Sequence, residues 1–90
     1  MDLSELRNEI DQIDREFLSI LSKRMKLIPK VAEYKKKNSI KRYQPEREKE
    51  VIKLRRELAK ELNISSDLVE SIFKEIIKDA HKIEEQIMGE

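Results

Sequence analysis

The sequence has no cysteine and no tryptophan, a single glycine, two prolines, and only two phenylalanines and two tyrosines. Without cysteine, disulfide frameworks, thiolate chemistry and cysteine-based zinc sites are excluded. So little glycine and proline argues against a loop-rich fold or a sheet protein with many tight turns. No apolar run approaches the length that spans a bilayer. The N-terminal segment MDLSELRNEIDQID is acidic and amphipathic, unlike a signal peptide. These absences lead to the expectation of a cytoplasmic protein. A surplus of one charge is also missing, with 20 basic against 19 acidic residues. No overall field therefore attracts nucleic acid or an anionic membrane, and there are few rings on which bases could stack.

What is present is charge, 43% of residues, together with 38% hydrophobic residues. The apolar residues recur periodically rather than at random, so the composition reads as long exposed helices rather than disorder. Ninety residues are expected to form a single domain, 1–90, near the size where one core is only marginally stabilising.

Leu3, Leu6, Ile10, Ile13, Phe17 and Ile20 alternate spacings of three and four, and the stripe resumes with Leu27, Val31 and Tyr34. A first helix is expected over about 3–37, opened by a capping box of Asp2 and Glu5 and closed near Asn38 after three lysines. Pro29 lies inside it and removes one backbone hydrogen bond, which predicts a tolerated bend. Pro45 suits the first turn of a second helix over about 45–62, with Val51, Leu54 or Arg55, Leu58 and Leu62 facing inward. Ser65 is a natural N-cap for a third helix over about 66–88, whose inner side carries Val69, Ile72, Phe73, Ile76, Ile77, Ala80, Ile83 and Ile87. The fold class expected is all-α, with three helices and no internal repeat.

At 1.5 Å per residue the first helix would be about 50 Å long and the second only about 27 Å. One chain cannot cover so long a stripe, and an exposed apolar strip of that extent marks an interface. A two-fold homodimer with paired long helices is therefore expected.

One position breaks the stripe. The member after Ile20 falls on residue 24, which is Arg24. Lys35 lies eleven residues further, three turns on and nearly on the same face. Leu27, Ile28 and Val31 lie between them, and an unpaired cation on such a wall is costly to bury. Arg24 can pair with a carboxylate of another helix, extend to water, or hold an anionic ligand. Lys35 alone reads as a solvated cation at a helix end. Glu84 sits on the third helix's apolar stripe and reads alone as a core-edge carboxylate paired with a lysine. Glu48, beside Arg47 in the first turn of the second helix, would favour the helix dipole in any case. Read together, Arg24, Lys35, Arg47, Glu48 and Glu84 suggest a polar pocket, rich in cations, for a small dianion held bidentately by arginine. The only histidine, His81, reads as a surface residue, and metal-ligand spacing is absent.

The segments LRNEIDQIDREFLSILSKRMKLIPKVAEYKK, YQPEREKEV and SIFKEIIKDAHKIEEQ together resemble the all-helical, AroQ-type chorismate mutases across essentially the whole chain. The ordered set Arg7, Arg24, Lys35, Arg47 and Glu48 carries the resemblance. It implies an intertwined homodimer of three-helix subunits and the conversion of chorismate to prephenate, on the route to Phe and Tyr. That rearrangement requires no metal, cofactor or covalent intermediate. The resemblance assigns Arg7 of the partner subunit and Arg24 to the substrate carboxylates, and Lys35 to the ether oxygen and a carboxylate. Glu48 would accept from the ring hydroxyl, with Arg47 in support and Gln44 near the same hydroxyl. Ala80 stands where some members carry a serine that contacts a carboxylate. Arg7 and Arg24 are 17 residues apart, about 25 Å along one helix, so an antiparallel partner is needed to bring them together.

Glu84 departs from the many members that carry glutamine there and donate to the ether oxygen. An ionised glutamate only accepts, whereas a protonated one can donate. Activity that rises toward acidic pH, flattened by Glu84→Gln, is the expectation. Two other readings stay open: an isochorismate-pyruvate lyase of the same fold, and a non-catalytic helical dimerisation module.

Overall fold

A computed structural model describes residues 1–89, which form three α-helices: α1 (Leu3–Lys37), α2 (Pro45–Glu61) and α3 (Ser66–Met88). No strand occurs among the described residues, so the all-α expectation holds. The Asp2 carboxylate accepts from the Glu5 backbone N–H at 2.8 Å, satisfying one of the four free donors at the start of α1. Ser65 Oγ does the same for Leu68 N–H at 3.2 Å. Pro45 occupies the first turn of α2, where its missing N–H costs nothing. α1 runs through Pro29 as one continuous helix.

Both internal helix ends close without glycine. Ser39 (φ 55°) and Asn63 (φ 58°) adopt the left-handed conformation. Ile40 N–H then donates to Lys35 O at 2.9 Å, and Ile64 N–H to Ala59 O at 3.0 Å. In each case a helical carbonyl left free at the C-terminus gains a partner from two residues beyond the cap. The Asn38 side chain adds a bond to Tyr34 O at 2.9 Å.

α3 packs against both α1 and α2, which do not pack on each other. The chain measures 55 × 23 × 15 Å, with a radius of gyration of 16.3 Å, against about 12 Å for a compact chain of this length. The buried apolar residues are few and small: Ala32, Val51, Ala59, Val69 and Ala80. Along α1, Leu6, Ile10, Ile13, Phe17, Ile20 and Leu27 are each 45–66% exposed. One chain therefore leaves the long stripe uncovered, as the disparity in helix lengths implies.

α2 and α3 are clamped where they meet. Arg56 Nη1 reaches Asp67 Oδ1 at 3.0 Å and Glu70 Oε1 at 3.1 Å, and Lys74 Nζ lies 2.7 Å from Glu70 Oε2. The hydrogen bond from Lys74, helped by Arg56, holds the Glu70 carboxyl below its usual value. A lowered acid pKa contributes stability above the unfolded-state value, roughly pH 4, and loses it as the pH falls through the folded-state value. Glu70→Gln should lower the thermal midpoint at neutral pH. The difference from wild type should shrink as the pH falls below about 4, as followed by circular dichroism.

Candidate active site

The candidate residues fall into two groups along α1. At the first, Arg24 projects toward α3 with its guanidinium carbon 5.7 Å from the centroid of the Phe73 ring. Arg55, from α2, approaches the same ring at 5.5 Å. The Phe73 π-face offers some attraction to each cation, but the two guanidiniums repel one another. Among the described residues, Arg24 Nη1 is buried with no hydrogen-bond partner. Burial, then the charges of Arg55 and Arg47, push the Arg24 pKa below its ordinary value, though arginine stays protonated. A cavity of about 350 Å³ opens beside them, with Phe17, Leu21, Leu58 and Phe73 in its wall along with both arginines. An apolar recess bordered by crowded cations, one with a dry unused donor, has the chemistry to accept a carboxylate.

The second group lies about 16 Å further along α1. Lys35 Nζ donates to Glu84 Oε2 at 2.8 Å and to Arg42 O at 2.7 Å. The pair is largely buried, with the side chains 14% and 10% exposed. The reading of Lys35 as a solvated helix-end cation is thus corrected, while the pairing of Glu84 with a lysine is what its stripe position suggests. Lys35 is bonded by two of its three N–H groups, leaving one for a ligand. Glu84 is the only buried charged residue among those described.

Glu48, in the first turn of α2, is half-buried, and its Oε2 lies 2.8 Å from His81 Nε2. His81 is therefore not a free surface residue. Its side chain is 25% exposed, and Nδ1 is held by Arg42 Nη1 at 2.6 Å. The ring lies between α3, which carries it, and the first turn of α2, which carries Glu48.

Three expected site residues stand apart from these groups within one chain. Arg7 is exposed on the uncovered half of α1. Arg47 is exposed and paired with Glu50, although its charge is felt at Arg24. Gln44 caps the start of α2 without a side-chain capping bond and donates instead to Lys41 O at 2.9 Å. Arg42, Arg55 and His81 are the residues that sequence reasoning missed as site members. Spacing from Val51 reached either Leu54 or Arg55, and the structure turns Arg55 to the cavity and leaves Leu54 42% exposed. Nothing in the sequence marks Arg42, whose partners are on other elements.

Fold and site together define an all-α protein whose cations converge from separate helices on a small apolar recess. The chain belongs to the chorismate mutase type II family, which it matches over residues 6–85. It is 34% identical over 84 residues to the T-protein of Haemophilus influenzae, covering 93% of this chain but 22% of that protein. It is 34% identical over 88 residues to the chorismate mutase of Methanocaldococcus jannaschii, covering 98% of this chain and 89% of that one. A bifunctional chorismate mutase/prephenate dehydratase of Aquifex aeolicus is 36% identical over 89 residues, 25% of its length. This chain thus spans about a fifth to a quarter of its longer curated relatives and most of the archaeal one.

Arg24 has a dry unpartnered donor among the described residues and lies close to Arg55, so removing its charge should relieve strain in the free protein. Arg24→Met should leave the thermal midpoint unchanged or higher. A small dicarboxylate such as malate should raise the midpoint of the wild type and not that of the variant, as measured by thermal shift.

Proposed function

We propose that the protein is a chorismate mutase, converting chorismate to prephenate in the cytoplasm as a homodimer whose catalytic domain spans residues 1–90. The observation that carries this reading is the buried, unpartnered Arg24 Nη1 beside Arg55, in a chain of this family. The rearrangement is intramolecular: the ether C–O bond breaks while a C–C bond forms, with no proton or group entering or leaving. The protein must therefore hold the dianion in a compact, chair-like geometry and stabilise the negative charge that develops on the ether oxygen.

Arg24 takes one carboxylate in this scheme. Arg7 of the partner subunit arrives on an antiparallel α1 and helps grip the substrate. The uncovered apolar face of α1 supports such pairing, and the separation of Arg7 from Arg24 along one helix requires it. Lys35 directs its remaining N–H at the ether oxygen. Glu84 accepts from Lys35 through Oε2 in the free protein, and would donate to the same oxygen through Oε1 only in its protonated form. Glu48 accepts from the ring hydroxyl, with Arg47 and Gln44 at the mouth. Ala80 offers no hydroxyl, so one carboxylate bond available to serine-bearing members is missing here.

Incubation with chorismate and, separately, with isochorismate tests the class of reaction. Prephenate from the first supports the mutase; pyruvate from the second with no prephenate from the first points to the lyase. No turnover of either leaves a dimerisation module, which gives Arg24 no counter-ion. Arg24→Ala and Lys35→Ala should each lower kcat/KM by about 10²–10³-fold or more with the dimer intact. Mixing Arg7→Ala and Arg24→Ala chains, each inactive alone, should restore about one quarter of wild-type activity. Half of randomly paired dimers are mixed, and each of those has one of its two sites intact. Glu84→Gln, whose amide donates without needing a proton, should retain turnover; a loss as large as that of Lys35→Ala removes the donor role at position 84.

A further inference from the structure

Two residues given no part in the reaction join the two carboxylates of the site. Arg42 lies in the segment 38–44 between α1 and α2. Its carbonyl accepts from Lys35 Nζ at 2.7 Å, and its Nη1 donates to His81 Nδ1 at 2.6 Å. A guanidinium can only donate, so Nδ1 must be the acceptor and the imidazole carries its hydrogen on Nε2. That N–H faces Glu48 Oε2 at 2.8 Å. Arg42 Nη2 lies 3.7 Å from Glu85, and its Nε is buried with no partner among the described residues. The guanidinium thus leaves one N–H dry while it reaches the imidazole. Tyr43 flanks the imidazole, with ring centroids 5.8 Å apart.

The result is an unbroken chain of contacts, Glu84–Lys35–Arg42–His81–Glu48, that crosses from α3 to α1, through the connecting segment, back to α3 and on to α2. We propose that Arg42 and His81 are positioning residues that fix the tautomer of the imidazole, and through it the place of the Glu48 carboxylate relative to Lys35 and Glu84. This rests on the proposed role of Glu48 toward the substrate hydroxyl. The pair ties the first turn of α2 to α3, so the hydroxyl acceptor and the ether-oxygen donors are set by one network. Neither residue touches the substrate.

The experiment measures kcat/KM for chorismate on full-length dimeric variants shown to be folded. Glu48→Ala must be impaired; wild-type turnover in that variant overturns the assignment of Glu48 and the relay with it. With Glu48→Ala impaired, His81→Leu should lower kcat/KM roughly 10–100-fold, the scale of a misplaced catalytic group. His81→Gln should stay close to wild type, because its amide accepts from Arg42 and donates to Glu48 as the neutral imidazole does. Arg42→Met acts on the same relay from the connecting segment, should reproduce the His81→Leu loss, and serves if His81→Leu does not fold. On a Glu48→Ala background His81→Leu should cost nothing further. The proposal is overturned by a His81→Leu variant as fast as or faster than wild type, by a His81→Gln variant as slow as His81→Leu, or by an equal loss on the Glu48→Ala background.

Discussion

The contact between Lys35 and Glu84 joins the last turns of α1 to the last turns of α3 at 2.8 Å, across 49 residues of sequence. Two charges largely withdrawn from water are tolerable only when paired and further hydrogen-bonded, and here the Arg42 carbonyl supplies the additional bond. That requirement locks the connecting segment to both helices. Once Lys35 and Glu84 are fixed, Arg42 is placed, His81 is oriented and the first turn of α2 is held against α3. A hydrophobic core does not do this work: among the described residues the buried apolar ones are alanine and valine, and no large side chain is fully enclosed.

Arg24 shows the opposite solution to the same problem. Among the described residues its charge has no ion-pair partner, and two other arginines raise its energy rather than lower it. A folded protein that keeps like charges close in an apolar recess gives up stability at that place. The proposed dianion would return it on binding, so the strain in the free protein becomes selectivity for a doubly negative ligand. The two cation positions on α1 are thus complementary, Lys35 satisfied internally and Arg24 left open.

Much of this was legible in the sequence because it is local. Asp2 with Glu5, Pro45 and Ser65 mark helix starts through bonds made within three or four residues. The uncovered face of α1 followed from comparing helix lengths. Arg24 and Glu84 stood out because each interrupts an apolar periodicity, and Lys35 because it lies three turns from Arg24 on nearly the same face. His81 and Arg42 did not, because their meaning lies in a contact 39 residues apart between a turn and a helix. Arg55 was half visible, since spacings of three and four from Val51 reach both it and Leu54, and only the Phe73 ring of α3, which Arg55 overlies, decides between them.

The turns after α1 and α2 have a thermodynamic effect beyond their shape. Ser39 and Asn63 take a left-handed conformation that costs an L-residue about 1–2 kcal/mol, with asparagine tolerating it better than serine. Glycine would adopt it freely, yet none occurs before Gly89. A chain with a single glycine explores fewer backbone states when unfolded than a glycine-rich one, so less entropy is surrendered on folding. The strain carried at two residues in the native state is therefore offset in the denatured ensemble, and a molecule with so thin an interior gains stability from what its disordered form is unable to do.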